Sequence, residues 1–320
     1  MHRGKRGCKI AHGSPMGVLA PKTMADAAQA ISLTKRTRQP YWREPFIWRA
    51  ALLAALSAWL YFPVLIRLSQ QWWSDPNFSH GFFVPFFSMF VLWQNRSALA
   101  VVPREPSLWG LPVVLFSLCT LILGTLGAEV FLARTSLILL AAGMVIFFLG
   151  WKMLRAVLFP LAFLLLMVPI PAIIFNELTF PLQIFASKVA AWALPLCGVP
   201  VLREGNIINL PAMPLEVADA CSGIRSLLSL TTLAIMYGYL MERWALVRVL
   251  LAFASIPIAV AANGFRIVGT GLLVQYWDPD KAEGFFHAFS GWLIFVSSLL
   301  MLFMVHQGFR AVFRRSGGAA

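Results

Sequence analysis

The chain has little charge and few cysteines. Only 12% of its 320 residues are charged and 59% are hydrophobic, whereas soluble domains carry about 25% charged residues. A soluble fold with so few charges could not cover its apolar surface, so the composition indicates lipid as the solvent. The four cysteines, Cys8, Cys119, Cys197 and Cys221, form no CxxC pair and no His/Cys cluster. We therefore expect no metal site, no disulfide framework and no cofactor.

The basic residues outnumber the acidic ones by 26 to 13, which gives a net charge of +13. Such a balance can indicate nucleic-acid binding, but these residues form short clusters between apolar runs rather than one patch. Clusters of this kind orient membrane helices, so we expect no nucleic-acid partner. The clusters are Lys35, Arg36, Arg38 and Arg43 in the N-terminal tail, then Arg96 with Arg104, Lys152 with Arg155, Arg243 with Arg248, and Arg310 with Arg314 and Arg315.

Eight apolar runs approach the length of a membrane helix, which needs about 20 residues. Pro169 and Pro171 are expected to kink or end the fifth run, because proline cannot continue the helical hydrogen-bond ladder. The second run is short unless its flanks extend it. The runs are residues 47–68, 82–93, 108–127, 135–151, 156–175, 219–239, 247–266 and 289–305.

One further stretch, residues 180–199, is ambiguous. It is apolar enough to span, but it contains Gln183, Lys188 and Pro195. We interpret it as an amphipathic helix that lies in the membrane interface or re-enters it. Residues 206–210, in the polar loop that follows, have strand character.

The positions of the basic clusters favour eight crossings. With eight spans all five clusters fall on one side, the cytoplasmic side, whereas a ninth crossing at 180–199 would move the last two outward. The sequence thus predicts an all-α, polytopic membrane protein with about eight transmembrane helices and both termini cytoplasmic. We divide it into a basic tail, a membrane domain and a short basic C-terminus (1–45, 46–309 and 310–320). The outward-facing loops are 70–81, 128–134, 176–218 and 267–288.

This topology brings a Cys, an Arg and a His to the same membrane face, on three different helices. Cys221 opens the sixth run, where a helix N-terminus would lower the pKa of its thiol and favour the nucleophilic thiolate. Arg266 ends the seventh run and His287 precedes the eighth. Together they supply a nucleophile, a fixed cation and a titratable base, the groups that acyl transfer through a thioester requires. Arg225, four residues after Cys221, would share its helix face.

Each of these residues also has a purely structural interpretation. A lone cysteine in an apolar helix is usually a packing residue, and an arginine at a helix end usually extends toward the interface. A histidine beside an apolar run is commonly interfacial. Their placement on one face, which His80 in the first outer loop shares, favours the functional interpretation without settling it.

At these motifs the chain resembles the exosortase/archaeosortase family, from about Tyr61 to His306. Five ordered segments carry the resemblance, and the Cys-Ser-Gly-Ile-Arg-Ser string is the most specific part. They are 72–81 (WWSDPNFSHG), 203–206 (REGN), 215–227 (LEVADACSGIRSL), 262–266 (ANGFR) and 286–292 (FHAFSGW). The long basic N-terminal tail is not part of the family pattern.

The resemblance implies a membrane cysteine transpeptidase or protease in the bacterial inner membrane, with its active site facing the periplasm. Cys221 matches the nucleophile, and Arg266 and His287 match the other two catalytic positions. Substrates would be exported proteins with a C-terminal sorting signal, made of a Pro-Glu-Pro type motif, a transmembrane helix and a basic cluster. The acceptor would be a surface polysaccharide or glycolipid, and the enzyme would work in contact with membrane lipid. Residues proposed for positioning are Arg225, His80, Asn263 and Glu216.

The proton-transfer roles stay open at this point. Histidine suits proton transfer, because arginine hardly deprotonates below about pH 12, and arginine suits stabilisation of the oxyanion. The reverse assignment of Arg266 and His287 is also possible.

The alternative from another class is a polytopic transporter or polysaccharide-export protein without peptidase activity. It predicts charged residues near the membrane midplane, whereas here they cluster at the outer edge, apart from Lys188.

Overall fold

A computed structural model describes residues 45–217, 223–276 and 285–317. By internal contacts the chain divides into residues 1–59 and 60–320. In the first unit, residues 45–59 form the beginning of a long helix, and all the other elements belong to the second unit.

Helices make up most of the described chain. They are α1 Pro45–Ser74, α2 Phe83–Gln94, α3 Arg96–Ala100, α4 Gly110–Leu126, α5 Val130–Leu149, α6 Trp151–Phe163, α7 Ala172–Leu196, α8 Ile224–Met241, α9 Ala245–Tyr276 and α10 Phe285–Gly317. Two short 3-10 helices, Pro76–Phe82 and Leu164–Met167, precede α2 and follow α6. Three strands lie between α7 and α8: β1 Leu202–Glu204, β2 Ile207–Asn209 and β3 Pro214–Glu216.

Several of these helices can cross a bilayer by length and composition. Within the described residues five qualify, in α1, α5, α8, α9 and α10, and a sixth is possible if the bent pair formed by α6 and α7 counts as one span. The chain is therefore a helical, multi-pass membrane protein. Helices α2 and α4 have only 12 and 17 residues, which is shorter than the roughly 20 that a span needs. The eight crossings and the position of the termini stay predictions.

The prediction for Pro169 and Pro171 is confirmed. The helical run of α6 and its 3-10 extension stops at Met167, and α7 begins at Ala172 with Pro171 before it in an extended conformation. The two helical pieces meet at an angle of 77°. Residues 180–196 of the ambiguous stretch thus lie in a helix that turns sharply from the preceding one, a geometry that both a broken span and a re-entrant segment have, so the interpretation of this stretch stays a prediction.

Several predicted boundaries were wrong: α1 continues to Ser74, beyond the predicted end at 68, and α10 continues to Gly317, beyond 305. The stretch 267–276, expected to belong to an irregular loop, continues α9, and α5 starts at Val130 rather than at 135. The reason in α9 is a continued buried face: Ile267, Gly271 and Val274 follow at helical spacing and are buried. Ile267 and Val274 pack with Ala190 and Leu194 of α7 in one hydrophobic cluster. Tertiary packing therefore keeps residues 267–276 helical, although hydropathy alone predicted that the helix ends before them.

Helices α4 and α5 form a close antiparallel hairpin. At one end a side chain on Gly110 would collide with the backbone of Phe147, and at the other a side chain on Gly124 would lie 2.5 Å from the backbone nitrogen of Ala133. Small residues at such points let two backbones approach, the usual basis of helix packing in lipid.

The three strands form an antiparallel sheet in the order β1-β2-β3. Strand β2 lies within residues 206–210, so the predicted strand character is confirmed. Ile208 at its centre is fully buried, in the same cluster as Val217 and residues of α7 and α9. The sheet is thereby fixed against those helices, and β3 leads directly toward the start of α8.

Polar side chains join α8, α9 and α10 at the C-terminal end of α8. Buried His306 lies 2.7 Å from Tyr237 Oη through Nδ1 and 2.7 Å from Glu242 Oε1 through Nε2. Arg310 Nε approaches the same carboxylate at 3.5 Å, and Arg248 Nε donates to the carbonyl of Glu242 at 2.7 Å. Members of two predicted cytoplasmic clusters therefore meet at one end of this helix, while its N-terminus points the other way.

Candidate active site

Helix α8 begins at a strained turn against α9. Gly223 precedes the helix with a left-handed φ of +82°, and its carbonyl accepts from the Leu227 N–H at 2.8 Å. A side chain there would also collide with Asn263, because a Cβ on Gly223 would lie 2.8 Å from Asn263 Cγ. Glycine meets both demands, the left-handed backbone and the lack of space. The start of α8 is thereby held against the middle of α9, where Asn263 is buried.

Arg266 lies one turn further along α9, beside the third strand. Its side chain lines a small cavity together with Glu216 of β3 and Val217, which follows that strand. Thr270 lines the same cavity, and its hydroxyl donates to the carbonyl of Arg266 at 2.9 Å. Arg266 and Glu216, the latter exposed, therefore border one small space.

Helix α10 approaches Arg266 at a glycine. A Cβ on Gly291 would lie 3.6 Å from Arg266 Nη2 and 3.8 Å from Cζ. The guanidinium thus reaches the backbone of α10. Position 287 precedes Gly291 by four residues, one turn toward the helix N-terminus, so the two positions share a face of α10.

Two of the predicted catalytic groups lie outside what the structure describes. Cys221 falls in the segment 218–222, and the side chain of His287 is not described. The described neighbours of the cysteine are Val217 on one side, beside Arg266, and Gly223 on the other, beside Asn263.

The other two predicted positioning residues are placed differently. Arg225 is exposed in the first turn of α8 and borders neither the cavity of Arg266 nor the small cavity beside Asn263. His80 lies in the 3-10 helix Pro76–Phe82, which packs against α8, and it borders neither cavity. Burial lowers the pKa of His80 below its usual value, and backbone groups of Leu166 and Asn77 oppose this only in part.

The comparison with protein families decides the identity. Residues 72–304, most of the chain, match the family described as transmembrane exosortase. The chain belongs to the transmembrane exosortase family. No curated protein and no solved structure matches it. The matched range begins at Trp72 and includes every segment that carried the resemblance.

The first segment of this exosortase has a structural role that the geometry explains. Asp75 caps the 3-10 helix by accepting from the Asn77 N–H at 2.9 Å, and Pro76 occupies the first helical position, where its missing N–H costs nothing. The indole N–H of Trp72 donates to the carbonyl of Met167 at 2.9 Å. Gly81 lies directly against this indole, where any side chain would collide with it.

Sequence reasoning missed three residues of the exosortase site: Gly223, Thr270 and Gly291. Their signals were present but weak. Gly223 and Gly291 stand inside the recognised strings, and Thr270 follows Arg266 at the spacing of one helical turn. Among the described residues no group of three or more His, Cys, Asp or Glu could hold a metal ion.

Proposed function

We propose that this exosortase is a cysteine transpeptidase or peptidase that cleaves the C-terminal sorting signals of exported proteins, with Cys221, Arg266 and His287 as its catalytic residues. The observation that supports it is the convergence of three helices near Arg266. Helix α10 reaches Arg266 of α9 at Gly291, and Gly223, which precedes α8, contacts Asn263 one turn away from Arg266. In sequence, Cys221 precedes α8 by three residues and position 287 lies in the first turn of α10.

Chain geometry limits how far Cys221 can lie from this point. It follows Val217 by four residues and precedes Gly223 by two, and consecutive residues span at most about 3.6 Å each. The Cα atom of Cys221 therefore lies within about 7 Å of that of Gly223, which contacts Asn263. Both described neighbours of the cysteine border α9 within one turn of Arg266, so a thiol near the guanidinium is compatible with the chain.

The proposed reaction is an acyl transfer. The Cys221 thiolate attacks the carbonyl carbon of the scissile peptide, and the resulting oxyanion is stabilised by the Arg266 guanidinium. Collapse of the tetrahedral intermediate forms the thioester and breaks the C–N bond, and the leaving amine receives a proton from His287. An amine of the acceptor, or water, then attacks the thioester, gives up a proton to the imidazole of His287, and releases the thiolate.

Glu216 and Asn263 are proposed to position these groups. Glu216 borders the same cavity as Arg266, so its carboxylate is near enough to offset part of the guanidinium charge. Asn263 packs against Gly223 and so sets where α8 begins, which in turn sets the segment that carries Cys221.

The proposed setting is the bacterial inner membrane, with the site facing the periplasm. The site lies at the N-terminal end of α8, and the basic residues Arg248 and Arg310 gather at its C-terminal end. The positive-inside rule assigns that second end to the cytoplasm. A substrate helix would then approach laterally and present its motif at the outer surface, for transfer to a polysaccharide or glycolipid.

The test replaces cysteines one at a time. Cys221→Ala and Cys119→Ala are expressed in separate strains, and one substrate with a sorting signal is followed on an immunoblot. We expect precursor to accumulate only with Cys221→Ala, because Cys119 is an exposed residue in α4. Membrane fractions confirm that both variants are present. Normal processing by Cys221→Ala would refute the nucleophile assignment and place the transporter alternative first.

A further inference from the structure

A buried arginine lies outside the proposed active site. Arg134, in the second turn of α5, is only 5% exposed, and its Nε atom is buried without a hydrogen-bond partner among the described residues. Nor does its guanidinium form an ion pair with any described residue. A buried cation is costly unless an anion or hydrogen-bond acceptor compensates it. The burial of this side chain without a compensating group therefore indicates that a ligand binds beside it.

The arginine borders two cavities. The larger, of about 430 Å³, lies between α1, α4 and α5, and Arg67 of α1 lines it as well. The second, of about 350 Å³, also has Arg134 in its wall, together with Asp75 and Glu129. The two acidic residues line only the second cavity, so the charged residues that line the larger cavity are both cationic.

The remainder of the larger cavity is apolar except for Thr125, whose hydroxyl already donates to the carbonyl of Leu121. Leu60, Pro63 and Val64 of α1 form one wall, and Leu121 of α4 lies opposite them. A ligand that fits must therefore combine an anionic group, placed at the two arginines, with a hydrocarbon part.

Both arginines lie at a shallow depth below the same end of the bundle. Arg67 precedes the end of α1 by seven residues, or about 10 Å, and Arg134 follows the start of α5 by four, or about 6 Å. The headgroup zone of a bilayer is about 5 to 8 Å thick on each side. When this end of the bundle is placed at the outer edge of the headgroup zone, both positions lie within or a few ångströms below that zone, close to the level of lipid phosphates.

We propose that this cavity binds the phosphate group of a membrane phospholipid through Arg134 and Arg67, with an acyl chain along Leu60, Pro63 and Leu121. Planar guanidinium groups pair well with phosphate oxygens, and the paired phosphate supplies the acceptor that the buried Arg134 otherwise lacks. This cavity shares no lining residue with the small cavity of Arg266, and the inference does not depend on the proposed catalysis.

Lipid retention by the purified full-length protein tests the proposal. The protein in detergent is titrated with phosphatidylglycerol, and the number of lipids that stay bound is measured by native mass spectrometry. A charged hydrogen bond to phosphate is worth at least a factor of about ten in affinity. We therefore expect Arg134→Gln to weaken binding of the first lipid about tenfold or more, and Arg134→Lys to retain part of it.

Two further variants make the result decisive. Arg67→Gln, at an exposed position on the rim of the cavity, should also weaken retention, and it decides the case if Arg134→Gln fails to fold. Arg155→Gln, an exposed arginine of α6 that lines neither cavity, removes the same charge and should leave retention unchanged. Diacylglycerol with the same chains should not compete with phosphatidylglycerol.

Three outcomes would overturn the assignment. The first is equal retention by the unaltered protein and by Arg67→Gln and Arg134→Gln. The second is displacement of the lipid by millimolar inorganic phosphate, which would make this a site for a free anion. The third is displacement by a soluble acidic peptide, which would assign the cavity to a peptide instead.

Discussion

Replacing Gly223 by alanine tests how α8 is fixed to α9. The φ of +82° is unfavourable for an L-residue, at about 1–2 kcal/mol. The new Cβ would also lie 2.8 Å from Asn263 Cγ and 2.9 Å from its Cβ, so α8 or α9 must shift. Overpacking of this kind costs roughly 1–3 kcal/mol. We expect Gly223→Ala to destabilise the protein by about 2–5 kcal/mol in sum.

Two matched glycines separate the contributions. Gly205 has a left-handed φ of +64° but no atom within 4 Å of its Cβ position, so Gly205→Ala should show the backbone cost alone. Gly269 lies within α9, also with open space, and Gly269→Ala should be neutral or slightly stabilising, by about 0.5–1 kcal/mol.

The assay is the apparent melting temperature of each purified variant in one detergent, followed by intrinsic tryptophan fluorescence. The expected order of stability is Gly269→Ala, then Gly205→Ala, then Gly223→Ala. Equal melting temperatures for Gly205→Ala and Gly223→Ala would show that the contact with Asn263 carries no cost. The close packing of the start of α8 on α9 would then be wrong.

Two further predictions concern His80, in the 3-10 helix before α2, and Trp72, which lies in the last turn of α1 and packs against that 3-10 helix at Gly81. Burial lowers the pKa of His80 in the folded protein, so the unfolded chain binds the proton more tightly and stability should fall as the pH drops below about 6.5. Thermal melts between pH 8 and pH 5 should show this loss of stability, and His80→Gln should make the loss smaller. Trp72→Phe removes the donor to the Met167 carbonyl, which should lower the free energy of unfolding by about 1–3 kcal/mol. Trp73→Phe, at an exposed position, is the control. Equal denaturation midpoints for the two variants would contradict the role of the hydrogen bond.

Much of the fold can be predicted from patterns among residues that are close together in the sequence. Hydropathy locates the helices, and the two prolines at 169 and 171 mark where α6 and its extension stop. Hydropathy did not locate the end of α9, because residues 267–276 are held helical by burial against α7 and the strands. The short second helix was predicted at 82–93 and is observed at Phe83–Gln94, whereas the size of the bend between α6 and α7, 77°, could not be read from the positions of the prolines.

For the site, sequence strings identified Asn263 and Arg266 but not their surroundings. Glu216 was expected near the catalytic residues, and the structure places it in the same small cavity as Arg266. The shared helix face of Arg225 and Cys221 stays a prediction, because Cys221 lies outside the described residues; Arg225 itself is exposed and lines no cavity with Arg266 or Asn263. Arg134 gave no signal in sequence, since a single arginine at the start of an apolar run is ordinary. Only the fold shows that it is buried.

The central claim is that Cys221 carries the acyl group of the substrate, and trapping that intermediate tests it most directly. The purified enzyme is mixed with a peptide that bears a sorting signal, quenched in acid, digested and analysed by mass spectrometry. The proposed mechanism predicts an adduct of the N-terminal cleavage product on the peptide that contains Cys221, removable by hydroxylamine as a thioester must be. An adduct on Cys119 or Cys197 instead, or cleavage by an enzyme in which Cys221 is alanine, would contradict it.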